Sequence, residues 1–125
     1  MISIMKRPSH KEITNKILQA KKSVQKDNLL FINPNVLASD ALELGYLFGE
    51  EIKEILTDIL NKAGPDNYVG LKPPQKSYEQ KIYGSELFAF RVKSDILNEI
   101  IYFKFVLANN NLYLISLHKH RATTK

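Results

Sequence analysis

The sequence predicts an α+β fold, in which two or three helices pack on one face of an antiparallel sheet of three to four strands. Apolar residues recur every three or four positions up to about residue 63, and they alternate with polar residues from residue 86 onward. An irregular basic stretch, residues 65–85, separates the two patterns. With 125 residues, the chain has the size of one domain, which we expect to span residues 1–125.

Three helical segments are expected in the first half. Ser9 and Glu12 form a capping-box pattern that predicts a helix ending near residue 26. A short helical turn is expected to begin at Ser39 or Asp40 and to stop at Gly45. The clearest helix has apolar residues on one face (Ile52, Ile55, Leu56, Ile59, Leu60 and Ala63) and ends at the Gly64-Pro65 pair.

Strands are predicted at residues 86–93, 100–107 and 112–118, and the last two form a hairpin whose register has two solutions. A two-residue loop would pair Tyr102 with Leu117 and mix polar with apolar residues on both faces. A three-residue loop of residues 109–111 pairs Tyr102 with His118, and we prefer it because one face becomes apolar. That face would carry Ile101, Phe103, Phe105, Leu107, Tyr113, Ile115 and Leu117.

The opposite face would then hold a polar row, Arg91–Tyr102–His118, with Lys104 and Ser116 one pleat away and Leu112 and Leu114 toward the turn. RNA cleavage needs a base for the 2′-hydroxyl, cations near the phosphate and an acid for the departing 5′-oxygen. Arginine and lysine bind phosphate, histidine titrates near neutrality, and tyrosine can orient or stack. We therefore consider Arg91, Tyr102, Lys104 and His118 as candidate catalytic residues of a metal-independent endoribonuclease. Solvated surface is the alternative interpretation.

The charge distribution favours a polyanionic partner such as RNA. The net charge is +5, and basic zones at residues 6–26 and after residue 64 flank an acidic zone at residues 40–58. In the irregular stretch, three tyrosines are interleaved with three lysines, which is typical of stacking on single-stranded bases, although a plain surface loop fits as well. The expected RNA-binding residues are Lys72, Lys76, Tyr78, Lys81, Lys119 and Arg121.

Several functional classes are excluded or disfavoured. The chain has no cysteine, which excludes disulfides, thiolate nucleophiles and cysteine-type zinc sites. His118 and His120 are spaced to share a strand face, but no acidic residue lies near them in sequence, so we expect no metal and no cofactor. Residues 1–5 are too short for a signal-peptide core and no run is long enough to span a membrane, so we expect a cytoplasmic protein with no membrane partner.

An ordered series of short patterns resembles the MqsR-type toxins of bacterial toxin–antitoxin systems, which are mRNA interferases with a RelE-like fold. The patterns are "KRPSH", "ALELGY" before an amphipathic helix, "GPDNY", "IYFKFVL" and "LYLISLHKH", and they cover most of the chain from residue 6 to residue 120. The resemblance implies endoribonucleolytic cleavage of mRNA and neutralisation by a cognate antitoxin protein.

The working residues of that family transfer to this chain unevenly. Its strand tyrosine corresponds to Tyr102, and its C-terminal lysine corresponds to His118, or to Lys119 if the turn aligns one residue differently. Its glutamine falls near Ala89 or Arg91, and its loop lysine falls near Val69, where Lys72 is the nearest substitute. These departures leave a non-catalytic RNA-binding or protein-interaction module using the same basic face as the alternative.

Overall fold

The fold is α+β, as predicted, and its four-stranded sheet is mixed rather than wholly antiparallel. The computed structural model describes residues 9–71 and 74–120. The elements are α1 (His10–Gln25), β1 (Leu29–Phe31), α2 (Pro34–Leu44), α3 (Phe48–Lys62), β2 (Phe88–Ser94), β3 (Glu99–Ala108) and β4 (Asn111–Lys119). The strand order is β1-β4-β3-β2, and β1 runs parallel to β4 while the other pairs are antiparallel.

Capping residues, proline and glycine set the ends of the first two helices, and α2 begins earlier than predicted. Ser9 Oγ accepts a hydrogen bond from Glu12 N at 3.1 Å, which caps α1 as predicted. α2 is longer than the predicted turn, because it begins at Pro34 rather than at Ser39 or Asp40. Proline is favoured at a first helical position, where its missing N–H has no intrahelical partner to lose. α2 ends at Gly45, whose φ of 87° is left-handed.

All three helices contribute side chains to one core, packed on a single face of the sheet. The α3 residues predicted to face inward are buried, and they meet a layer of stacked phenylalanines from β2 and β3. The buried sheet residues of this core are Phe88, Phe90, Val92, Ile101, Phe103, Phe105, Leu112, Leu114 and Leu117. The helices therefore leave the other face of the sheet available for a site.

The turn between β3 and β4 has two residues, so the predicted three-residue loop is wrong. Ala108 pairs with Asn111, which leaves Asn109 and Asn110 in the turn with φ values of 54° and 63°. Two successive positive φ values are typical of a type I′ hairpin turn, and asparagine tolerates them better than most residues. The register then shifts by one residue between Lys104 and Phe105.

That shift is a β-bulge in β4, and it restores the pairing on which the candidate row depends. Phe105 pairs with Leu114 and Lys104 pairs with Ser116, so Ile115 is the extra residue. Beyond the bulge, Tyr102 pairs with His118, as the three-residue loop had predicted for a different reason.

Between the turn and the bulge, the predicted faces of β4 are reversed. Leu112 and Leu114 lie in the core, whereas Tyr113 and Ile115 lie on the opposite face. The physical reason is the period of two along a strand, which exchanges the faces when the register moves by one residue. No helix in the described ranges is long and apolar enough to cross a membrane.

Candidate functional site

The sheet face opposite the helices carries the candidate row across three strands. Arg91 of β2 pairs with Tyr102 of β3, which pairs with His118 of β4. One pleat toward the turn, Ala89, Lys104 and Ser116 form a second row. We call this surface, defined by the Arg91–Tyr102–His118 and Ala89–Lys104–Ser116 rows, the polar sheet face.

The outer edge of β2 is covered, which holds the arginine end of the row in place. Asn67 Nδ2 donates to the carbonyl oxygen of Arg91 at 3.1 Å, and Val69 N donates to the carbonyl oxygen of Ala89 at 2.9 Å. These contacts satisfy acceptors that an edge strand otherwise exposes to other chains. Arg91 itself is an exposed residue.

Tyr102 and His118 form a stacked pair. Their ring centroids are 5.1 Å apart and the ring planes are inclined by 20°. The Nδ1 atom of His118 lies 2.9 Å from the carbonyl oxygen of Lys119. A carbonyl oxygen can only accept a hydrogen bond, so Nδ1 is the donor and Nε2 of the neutral ring carries the lone pair. The backbone carbonyl of the next residue, Lys119, therefore orients the His118 ring so that Nε2 is left as its acceptor.

Burial raises the pKa of the Tyr102 phenol above its ordinary value of 10.0. Tyr102 consequently stays protonated across the physiological pH range, so it can donate a hydrogen bond but cannot serve as a base there. Of the two stacked rings, the imidazole is therefore the one that can accept a proton, through the lone pair of Nε2.

The charges on the polar sheet face are all basic. The described ion pairs involve other residues (His10, Lys53, Lys62 and Lys119 as the cations), so Arg91 and Lys104 have no carboxylate partner among residues 9–71 and 74–120. Lys93, on the same side of β2 as Arg91, is likewise exposed and unpaired within those ranges. Unneutralised cations on a sheet surface attract phosphate groups.

Residues 74–87 form a folded loop over the turn end of the same face. Ser77 N donates to Ser85 O at 2.8 Å and Gly84 N donates to Ser77 O at 2.9 Å, which closes the loop on itself. Ile82 is 2% exposed and packs in a small cluster with Val106 and Tyr113. The loop is thus anchored to the turn end of the sheet, and Tyr102 and His118, nearer the other end, are half-buried.

Two tyrosines of this loop are displayed to solvent. Tyr78 is 81% exposed and Tyr83 is 73% exposed, although aromatic side chains usually bury most of their surface. Lys76 and Lys81 are also exposed, and Lys76 pairs through its backbone with Glu86. The third tyrosine of the region, Tyr68, is unavailable for stacking on bases because its ring packs on Phe88 and Phe90.

The other predicted RNA-binding residues are distributed differently. Lys119 pairs with Ile101 in the ladder, so it lies on the helix side of the sheet, where its Nζ is 3.7 Å from Glu99 Oε2. Lys119 therefore does not share the polar sheet face with His118, and its predicted role in RNA binding stays a prediction. Lys72 and Arg121 lie outside the described residues.

The sequence analysis spaced His120 with His118 on one strand face, but it did not add His120 or Lys93 to the candidate site. His120 N donates to Ile100 O at 2.8 Å, so the ladder continues past the end of β4 and Ile100 lies between Lys93 and His120. The i, i+2 spacing from Arg91 and from His118 was the signal that would have found them. Within residues 9–71 and 74–120, no group of three His, Asp or Glu side chains is placed to hold a metal ion.

Comparison with known proteins adds no relative: no protein-family model matches the chain, and no curated protein matches it. The class that the fold and site define is therefore a structural one, an α+β protein with helices on one side of its sheet and a polar, basic surface on the other.

Proposed function

We propose that this protein is a toxin-like endoribonuclease, an mRNA interferase that binds single-stranded RNA on its polar sheet face and cleaves it by acid–base chemistry. The observation that carries the proposal is the row Arg91–Tyr102–His118, in which a phosphate-binding group, a hydrogen-bond donor and an oriented imidazole adjoin on neighbouring strands. The resemblance to MqsR-type toxins points to the same activity, and it adds a cognate antitoxin protein as the expected inhibitor.

Each residue of the site has a chemical role in this proposal. Arg91 binds two phosphate oxygens through its planar guanidinium, and Lys104 supplies a second positive charge where the pentavalent phosphate becomes more negative. Tyr102 holds the His118 ring by stacking and donates its phenol hydrogen to the phosphate. His118 exchanges a proton with the RNA through Nε2.

The loop of residues 74–87 extends the proposed binding surface. Ile82 anchors it over Val106, which lies four residues from Tyr102 on the same side of β3, about 13 Å along the strand. Tyr78 and Tyr83 would stack on bases that flank the scissile phosphate, and such stacking contributes about 1–3 kcal/mol per base. An open sheet surface with flanking aromatic rings suits an extended strand better than a compact small molecule.

The first experiment measures cleavage and binding separately. Purified protein is incubated with a labelled single-stranded RNA, products are resolved on a gel, and affinity is measured at several salt concentrations. We expect product formation together with salt-dependent binding. Intact RNA in the presence of salt-dependent binding would replace the nuclease by a non-catalytic RNA-binding module, and the lack of both would remove RNA as the ligand.

A matched pair of charge variants tests the surface. Arg91→Ala removes a cation from the polar sheet face, and Lys11→Ala removes one from the exposed side of α1. We expect Arg91→Ala to weaken RNA binding and to lower the slope of log affinity against log salt by about 1, with Lys11→Ala unchanged. Equal effects of the two variants would mean that binding follows net charge and not this surface.

A further inference from the structure

Two of the three histidines of the chain, His118 and His120, lie two residues apart on the side of the sheet that carries the polar sheet face. The His120 N–H bond to Ile100 O keeps the chain in the β4 ladder, so the side chains of His118 and His120 point to the same side of the sheet. Their Cα atoms are about 7 Å apart at strand spacing. His120 is half-buried although it follows the last residue of β4.

The groups that face these imidazoles are cationic or neutral. Lys93 and Ile100 complete the row that ends in His120, and Arg91 and Tyr102 complete the row that ends in His118. The nearest carboxylate in the strands, Glu99, lies on the helix side of the sheet with Lys119. Neither histidine forms an ion pair with an acidic side chain in the described residues.

We propose that His118 and His120 are a general base and general acid pair that straddles one phosphate of the bound RNA, an inference that rests on the proposed ribonuclease function. Nε2 of His118 takes the proton of the 2′-hydroxyl, and the 2′-oxygen forms a bond to phosphorus. The bond from phosphorus to the 5′-oxygen breaks, and His120 gives a proton to that oxygen. The products are a 2′,3′-cyclic phosphate and a 5′-hydroxyl, with the proton balance restored through water.

The assignment of the two roles follows from the structure. The Lys119 carbonyl oxygen holds Nδ1–H of His118, which leaves the lone pair of Nε2 for the 2′-hydroxyl. The His120 side chain donates no hydrogen bond to the described residues. It lies two residues beyond His118, next to the Arg91–Tyr102–His118 row. Two imidazoles carried by Cα atoms about 7 Å apart can each approach, within about 2.6–3.2 Å, one of the two oxygens on opposite sides of a phosphorus atom.

A leaving-group experiment identifies the acid. The cleavage position is first mapped with the wild-type protein, and a short RNA of that sequence is made with sulfur in place of the 5′-oxygen at the scissile bond. A thiol has a pKa of about 8.5, so a thiolate departs without a proton. We expect His120→Gln to slow cleavage of the oxygen substrate by about 10²- to 10⁴-fold and to cleave the sulfur substrate within about tenfold of the wild type.

His118→Gln supplies the contrast, because loss of the base slows both substrates. His10→Gln is the matched control, since His10 is the third histidine and lies exposed at the start of α1. It is expected to leave both rates unchanged. If His120→Gln slows both substrates equally, or neither, His120 is not the acid. If the wild-type protein cleaves neither substrate, the ribonuclease function itself fails.

The pH dependence provides a second readout that a structural role would not change. With one base and one acid, the wild-type rate rises and then falls with pH. His120→Gln is expected to lose the descending limb and His118→Gln the ascending limb on the oxygen substrate. A two-limbed profile that persists unchanged in His120→Gln would overturn the pairing.

Discussion

Asp58 of α3 fastens the β2–β3 connection to the helix layer, and its removal should destabilise the whole domain. Its side chain is 9% exposed. Oδ2 accepts hydrogen bonds from Ser94 Oγ at 2.8 Å and from Ile96 N at 3.3 Å, and Oδ1 lies 3.0 Å from Lys62 Nζ. Ser94 Oγ in turn accepts from Leu97 N at 3.0 Å. The connection joins β2 to β3 next to the Lys93–Ile100 pair. This hydrogen-bond network therefore also holds in place the two strands that carry the polar sheet face.

The expected loss of stability follows from the hydrogen-bond donors that would lose their acceptor in Asp58→Ala. Ser94 is 0% exposed, and a buried donor that loses its acceptor costs about 1–3 kcal/mol, while a hydrogen bond to a charged group contributes about 1.5–3 kcal/mol. Lys62 is exposed to water and adds little. We expect a loss of about 3 kcal/mol in the free energy of unfolding, which lowers Tm by on the order of 10 °C in a domain of this size. Asp58→Asn, which keeps one acceptor oxygen, should cost less.

The pH dependence of this effect has a definite sign. Burial alone would raise the pKa of the Asp58 carboxyl, but hydrogen bonds from Ser94, Lys62 and Ile96 lower it below the ordinary 3.8. Because the folded pKa is the lower one, the carboxylate contributes stability above the unfolded pKa and loses it as pH falls through the folded pKa. The difference in the free energy of unfolding between the wild type and Asp58→Asn should therefore be largest at pH 7 and should decrease below about pH 4.

Urea denaturation of wild type, Asp58→Ala and Asp58→Asn at pH 7 and pH 3 measures both effects. Asp95→Ala is the control, because Asp95 is a carboxylate of the same connection that contacts the same lysine but is 69% exposed, and it should change stability by less than about 0.5 kcal/mol. A double-mutant cycle with Ser94→Ala should show that the effects of the two substitutions on the free energy of unfolding are coupled. Equal losses in Asp58→Ala and Asp95→Ala, or a difference between the wild type and Asp58→Asn that does not change with pH, would refute the reasoning.

Three further predictions concern the turn, the edge of the sheet and the loop. Asn109→Ala and Asn110→Ala should each destabilise the protein by about 1 kcal/mol, because alanine disfavours positive φ; thermal unfolding against Asn110→Gly, which should be neutral or stabilising, checks this. Gly70→Ala should displace the Tyr68 ring, whose hydroxyl would lie 2.6 Å from the new Cβ, and tyrosine fluorescence or an NMR shift of that ring should report the change. Ile82→Ala should release the loop from the sheet, with faster amide exchange in residues 77–85 but unchanged exchange in β3.

The paired strands and the candidate row could be predicted because strand alternation is a local property. Whichever turn joins β3 and β4, an apolar side of the sheet must face the helices, and the aromatic residues Phe103 and Phe105 select that side. The pairing of Tyr102 with His118 is nevertheless the sum of two features that the sequence did not reveal separately, a two-residue turn and a bulge at Ile115. The predicted loop was wrong and the predicted pairing was right, because one extra residue in the turn and one extra residue in the bulge shift the far end of β4 by the same amount.

Features that depend on distant contacts were beyond the sequence. The parallel pairing of Leu29–Phe31 with β4 joins residues about eighty positions apart, and nothing in a three-residue strand specifies its partner. The side of the sheet that Tyr113 occupies depended on the two-residue turn, and the pairing of Tyr102 with His118 then depended on the bulge, which a single sequence does not signal.

The sequence by itself determined the fold class, the capped α1, the amphipathic α3 and the alternation that gathers Arg91, Tyr102 and His118, since each follows from periodicity or from residues next to one another in the chain. Only the tertiary structure decided that the turn between β3 and β4 has two residues, that Ile115 forms a bulge, and that the loop of residues 74–87 packs over the turn end of the sheet. These outcomes depend on which backbone groups remain to be hydrogen-bonded and which apolar surface remains to be buried once the strands are paired.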